Sequence, residues 1–302
     1  MPFSEQLQLI LAFLQQHPLW LLSTVFVFSL CVGSFLNVVI YRLPKMMEQS
    51  WQQEYQEYFH PADSHPADNQ PAAPTFNLAT PRSRCPHCNT QLSALDNIPL
   101  VSWITLGGKC RYCKAPISAR YPAVELLTAL LSTVVIWQAG ATGLGALMLV
   151  VTWCLVALTF IDIDKMLLPD QITLPLLWLV LAASALGIGI APQQAIIGAA
   201  CGYLALWLVY WAFKLLTGKE GMGYGDFKLL AIFGALLGWQ QLPLIILLSS
   251  LVGAVIGSVM LAVQKKQQST AIPFGPYIAA AGWIAMLWGT QISDAYLRSI
   301  GL

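Results

Sequence analysis

Charge is what this chain has least of. Only 10% of its residues are charged, against about 25% in an ordinary soluble chain, while 57% are hydrophobic. That balance excludes a water-soluble globular domain, so lipid is the solvent for most of the molecule. The start lacks the basic residues and small-residue cleavage site of a secretory signal, and Leu19–Ile40 is expected to be a retained helix. No His-Glu-x-x-His occurs, which excludes the common zinc-protease helix. No internal repeat is evident, which counts against a transporter built from duplicated halves. The formal net charge of +1 says nothing about partners, and no nucleic-acid partner is expected.

What is present is a series of apolar runs: Leu19–Ile40, Tyr121–Ala139, Leu144–Ile161, Ile172–Ile190, Ala195–Phe213, Leu242–Val263 and Ile272–Ile292. Each approaches the roughly 20 residues that a crossing helix needs. Phe227–Trp239 is an eighth candidate, expected to be a short or half-exposed helix lining a cavity. Leu7–Leu14 is too short to cross and is expected at the outer interface. Threaded from an outside N-terminus, eight crossings put nearly all Lys and Arg, including Lys265 and Lys266, on the inner side. The expected fold is an all-α polytopic membrane protein of about eight transmembrane helices with a cytoplasmic zinc-binding loop domain. Its expected parts are an N-terminal segment with the first helix (1–41), the cytoplasmic insert (42–120) and a membrane bundle (121–302).

The insert opens with Met46–Phe59, rich in Gln and Glu and expected to be a surface helix. His60-Pro-Ala-Asp63 and His65-Pro-Ala-Asp68 follow in a Pro-rich tract that reads as solvated linker rather than metal site. Cys85-Pro-His-Cys88 and Cys110-Arg-Tyr-Cys113 are the strongest metal signal in the chain. Four thiolates in two Cys-x-x-Cys knuckles suit a tetrahedral structural zinc. The alternative is a pair of disulfides, which a reducing cytoplasm disfavours. Cys31, Cys154 and Cys201 lie in apolar runs and are expected to be buried, without a redox role.

Two acidic residues at the edges of apolar runs point to chemistry. Asp162, in Phe160-Ile-Asp-Ile-Asp-Lys165, is expected deepest among Asp162, Asp164 and Asp170, and Asp226 closes Gly221-Met-Gly-Tyr-Gly-Asp226. An ionisable group at the membrane boundary carries a desolvation penalty that packing alone does not explain. Two carboxyl groups that approach closely cannot both ionise readily, so the pair carries one proton near neutral pH. One can then take a proton from water while the other donates to a peptide carbonyl oxygen. Gly223 and Gly225 leave room for a substrate backbone beside Asp226. Asp164 is expected to be a solvated neighbour and Asp170 a helix N-cap. Glu125, inside the second run, is expected to pair with a base or polar group, with a second site as the alternative.

Several motifs in order resemble one family. Gly33-Ser-Phe-Leu-Asn-Val-Val-Ile-Tyr-Arg-Leu-Pro44, the two cysteine knuckles with Asn97-Ile-Pro-Leu-Val-Ser102 between them, Ile161-Asp162 through Leu168-Pro-Asp170, Gly221 through Lys228, and Ile272-Pro-Phe-Gly-Pro-Tyr277 together resemble the bacterial type IV prepilin peptidases over nearly the full length. The resemblance implies an inner-membrane enzyme with Asp162 and Asp226 as its catalytic pair. It implies cleavage of a short basic leader from type IV prepilins and type II secretion pseudopilins at the cytoplasmic face, after a glycine. It also implies methylation of the new N-terminus with S-adenosylmethionine, although no soluble-type Gly-rich methyltransferase motif occurs. The alternatives are a peptidase that does not methylate and a proton- or ion-coupled transporter.

Overall fold

A computed structural model describes residues 6, 13, 16–59, 76–93, 95–264 and 272–299. The histidines at 60 and 65, most of Leu7–Leu14, and Lys265 and Lys266 lie outside the described residues. The described residues form an all-α protein whose only β features are two isolated bridges. Helix α1 runs Pro18–Phe59, α2 Val101–Thr105, α3 Arg120–Ala139, α4 Gly143–Lys165, α5 Asp170–Ala185, α6 Pro192–Thr217, α7 Tyr224–Leu237, α8 Leu242–Gln264 and α9 Gly275–Ser299. The chain divides into two compact units, one of Met1–Val25 with Leu131–Leu302 and one of Phe26–Leu130.

The expectation of about eight crossings is corrected. Among the described residues five helices are long and apolar enough to span: α1, α3, α4, α6 and the run Trp239–Val259 that holds most of α8. Helix α5 has 16 residues and α7 has 14. At 1.5 Å per residue they reach only about 24 and 21 Å, short of the roughly 30 Å hydrocarbon core. Helix α9 has 25 residues, but Thr290, Gln291, Ser293 and Asp294 make it too polar to qualify. The orientation drawn from eight crossings loses its basis with them.

Helix α7 accounts for one of the three crossings lost. Rather than half-exposed, it is buried from Asp226 to Leu236 apart from a partly exposed Lys228. A helix that is apolar all round needs either lipid or protein on every side, and α7 has protein. Its widest contact is with α6, where Gly198 lies backbone to backbone against Gly234, and a Cβ at Gly202 would come 2.6 Å from the Leu230 carbonyl. Gly198 and Gly202 form a Gly-x-x-x-Gly stripe of the kind that lets membrane helices touch through their main chains. On another side Phe233 fills the space left by Gly282 of α9.

In the unit Phe26–Leu130, α1 continues through Pro44 as a single helix of 42 residues, so the expected surface helix over 46–59 is its extension, with residues 48–59 exposed. Gly33 packs on the main chain of α3, where a Cβ would come 2.7 Å from the Glu125 Cα. Asn37 donates to the Tyr121 carbonyl at 3.0 Å. The buried Arg42 guanidinium donates to the Asn77, Leu78 and Pro81 carbonyls. The motif Gly33–Pro44 thus serves as a framework for the returning chain. No self-contained loop domain stands out, which corrects the expected zinc-binding loop domain: the knuckles share one unit with most of α1 and the first half of α3.

Candidate functional site

The carboxylates come from the ends of two helices. Helix α4 ends just past Asp162, where Met166 takes a left-handed conformation (φ 50°) and donates its N–H to the Asp162 carbonyl. The chain turns there, Leu168 is buried, and α5 starts at Asp170. Helix α7 opens at Tyr224, which puts Asp226 in its first turn, where a negative charge meets the positive end of the helix dipole. Asp162 and Asp226 are 5% and 6% exposed, whereas Asp164 and Asp170 are exposed. The charge of Asp162 acts on Asp226.

Leu168 joins the two neighbourhoods. A Cβ on Gly225 would lie 2.6 Å from the Leu168 Cβ, and one on Gly275 would lie 3.2 Å from the Leu168 methyls and 2.6 Å from Asp162 Oδ2. Gly275 donates its N–H to that same oxygen at 3.0 Å. Sequence reasoning missed Gly275 and Leu168. Both stand in motifs it quoted, Ile272–Tyr277 and Leu168-Pro-Asp170, but nothing local told that one backbone N–H would reach a carboxylate more than a hundred residues earlier. Gly225 gives room to Leu168 rather than standing open. A Cβ on Gly223 would come no nearer than 3.8 Å to Asp226 Oδ2 and 4.0 Å to the Gly225 nitrogen, so Gly223 leaves space beside the carboxylate.

Asp170 is not a side-chain cap: Pro169 occupies the N-cap of α5, and the Asp170 carboxylate accepts from Lys228 Nζ at 2.6 Å. Glu125 is buried and its Oε2 accepts the Leu100 N–H at 2.7 Å, the polar-group outcome. Leu100 has φ 59°, rare for a branched side chain, and that turn aims its N–H at Glu125. Cys31 and Cys201 are exposed and Cys154 half-buried, so the expectation of three buried cysteines is corrected.

The four knuckle cysteines form a candidate metal centre. Their sulfurs all lie within 4.8 Å of one another, with Cys85 and Cys113 at 3.8 Å. A tetrahedral ion with sulfurs at about 2.3 Å needs about 3.8 Å between them, so the set fits a metal. The two knuckles share one backbone design. Cys85 N–H bonds to the Thr90 carbonyl and Cys110 N–H to that of Ala115, while Asn89 and Lys114, each following the second cysteine, have φ 54° and 58°. Hydrogen bonds from the Thr90 side chain and main chain bring the Cys88 thiol down to about 6. The Cys113 and Tyr112 N–H groups lower Cys110. Both favour the thiolate that a metal binds, whereas Cys113, despite the Ala115 N–H, is pushed up to about 11 by burial and by the other three thiols. Ser93 and Arg111 lower the Asp96 carboxyl from its ordinary value, and the Arg111 bond at 2.6 Å ties the turn before α2 to the second knuckle.

Fold and site define an all-α, multi-pass membrane protein with two buried aspartates meeting at helix ends and a separate four-cysteine cluster. The Bacterial Peptidase A24 N-terminal domain matches residues 27–139, and the Type IV leader peptidase family matches residues 149–258. Similar proteins include the prepilin leader peptidase/N-methyltransferases of Aeromonas hydrophila (61% identical, 93% of this chain and 95% of the relative), Stutzerimonas stutzeri (55%, 95% and 97%) and Pseudomonas aeruginosa (53%, 97% and 99%). No solved structure matches. The chain belongs to the bacterial Type IV leader peptidase family, and membership makes it an enzyme of the peptidase class.

Proposed function

We propose that this protein is a membrane aspartic endopeptidase that removes the short basic leader of type IV prepilins and type II pseudopilins and then methylates the new N-terminal residue. The observation that carries the reading is the convergence of Asp162 and Asp226, buried and electrostatically linked, around Leu168. Two carboxyls in an apolar site share one proton. The ionised one accepts a proton from water as it attacks the carbonyl carbon, and the protonated one donates to the carbonyl oxygen. Collapse of that adduct breaks the C–N bond, and the amine leaves with a proton. The Gly275 N–H holds Asp162 Oδ2 in place, and Gly223 leaves the substrate backbone a path to Asp226. Lys165 closes the helix that bears Asp162 and Lys228 follows Asp226 by two residues, which by the positive-inside tendency favours the cytoplasmic face of the inner membrane.

Zinc is the metal we assign to Cys85, Cys88, Cys110 and Cys113. Four thiolates leave no open position, so it would hold the knuckles together and activate no water. S-adenosylmethionine would supply the methyl group. The decisive assay is mass spectrometry of a prepilin incubated with purified protein, with and without S-adenosylmethionine. Cleavage after glycine is expected in both arms and one added methyl only with the donor; an uncut prepilin sinks the peptidase reading, and an unmethylated product sinks the second activity. Methylation needs a positioned donor and amine rather than the aspartates. Asp162→Asn protein given already cleaved pilin should therefore still methylate it.

Gly275→Ala should lower leader cleavage by about a hundredfold, because its methyl would displace Asp162 Oδ2, and misplacement by about 1 Å is enough for that loss. Cleavage kinetics at matched membrane insertion check it. Wild-type rates would show that the open space at Gly275 is not needed to place Asp162.

A further inference from the structure

The loop that carries Asp162 into α5 is fastened to α7 at two points that bracket Asp226. One is the seating of Leu168 on Gly225; the other is the ion pair of Asp170 with Lys228, 58 residues apart, at 2.6 Å. At its start α7 has one more polar contact, between the Tyr224 and Tyr210 side chains, but that one faces α6 and not the 166–170 turn. From Phe227 to Leu236 it is apolar and, Lys228 apart, buried, and it meets α6 through glycine and main-chain surfaces. Those surfaces fit α7 to α6 and α9, not to the 166–170 turn, and a single ionic or polar contact in an apolar setting is best attested as a register device. The Lys228 side chain is 23% exposed and that of Asp170 53%, so the pair sits at the rim, where its bare contribution to stability is small. Its value lies in geometry: Lys228 is two residues past Asp226, and Asp170 is two past Leu168 on the segment leaving Asp162.

Resting on the peptidase reading above, we propose that the Asp170–Lys228 ion pair sets the register of α7 against the 166–170 turn and so positions the two aspartates. Both are positioning residues, since neither acts on the substrate directly. Lys228→Met and Asp170→Asn should each lower kcat for leader cleavage by 10- to 100-fold, with KM within threefold, as expected of small misplacements of reacting groups. Combining them should cost no more than the worse single change. The reciprocal exchange, Asp170→Lys with Lys228→Asp, should recover at least tenfold, and Lys228→Arg should stay near wild type. Lys219→Met, which removes another cation outside this contact, is the control and should leave kcat unchanged.

A readout without activity accompanies the kinetics. Spin labels at the exposed positions Met166 and Tyr224, in a background lacking Cys31 and Cys201 and referenced to the same background without the two label sites to subtract the exposed Cys113, report the spacing of the two segments by dipolar broadening. The spacing should spread in Lys228→Met and sharpen again in the exchange. Wild-type kcat in both single variants, additive losses, loss confined to KM, or an unchanged label spacing in Lys228→Met would each overturn the proposal. If the wild type cleaves no leader, the peptidase reading fails, while the label spacing still decides whether the ion pair sets the register.

Discussion

Asn at position 162 or 226 is expected to cut leader cleavage by about a thousandfold or more, the scale on which acid–base groups contribute. Asn keeps the volume of Asp, and its carbonyl oxygen can still accept the Gly275 N–H that now reaches Asp162. What it loses is the proton that the pair shares. The double variant should be no slower than either single, because the two groups act as a unit. Asp164→Asn, at an exposed position on the same helix end, should stay within a few-fold of wild type. Cleavage of a prepilin by each variant at matched expression and insertion provides the check. Full activity in Asp226→Asn would end the aspartic mechanism, and loss in Asp164→Asn with activity in Asp162→Asn would move the first carboxylate two residues on.

The second large effect concerns the cysteine cluster. Purified protein should hold close to one zinc per chain, and Cys85→Ser or Cys110→Ser, which alter the two buried sulfurs, should lose it. Structural zinc contributes an apparent 10–16 kcal/mol, roughly, to small metal-folded segments. The apolar core of this segment is small: among its described residues, only Cys85, Gly108 and Cys110 are buried between 76 and 119. Chelation or either substitution should therefore open residues 76–117 to protease while α4 to α7 stay resistant. Elemental analysis and limited proteolysis measure the two halves of this expectation. Metal-free protein with a resistant segment would refute it.

The short spacing of the knuckles was legible because Cys-x-x-Cys is a local arrangement. The backbone geometry that aims their N–H groups, with Asn89 and Lys114 left-handed, had no local signal, since neither is a glycine. The burial of Asp162 relative to Asp164 could be read from the apolar run before it. Its bond to Gly275 could not, because the partner lies 113 residues away and is a backbone atom carrying no residue signature. Asp170 looked like a cap from its place before an apolar run. Lys228 competes for the same carboxylate and wins because Pro169 already starts the helix.

By itself the sequence determined that this is an all-helical membrane protein, that two aspartates stand at helix ends, and that four cysteines form a metal-binding pattern. These follow from composition, from runs of apolar residues and from spacing, all properties of neighbours along the chain. The folded structure fixed where each apolar helix begins and ends, and so which are long enough to span. It decided also that α7 is wrapped by protein, and that Leu168, Gly275 and Lys228 surround the aspartates. Hydropathy measures aversion to water and is the same whether lipid or another helix replaces the water. Only the packed neighbours distinguish the two.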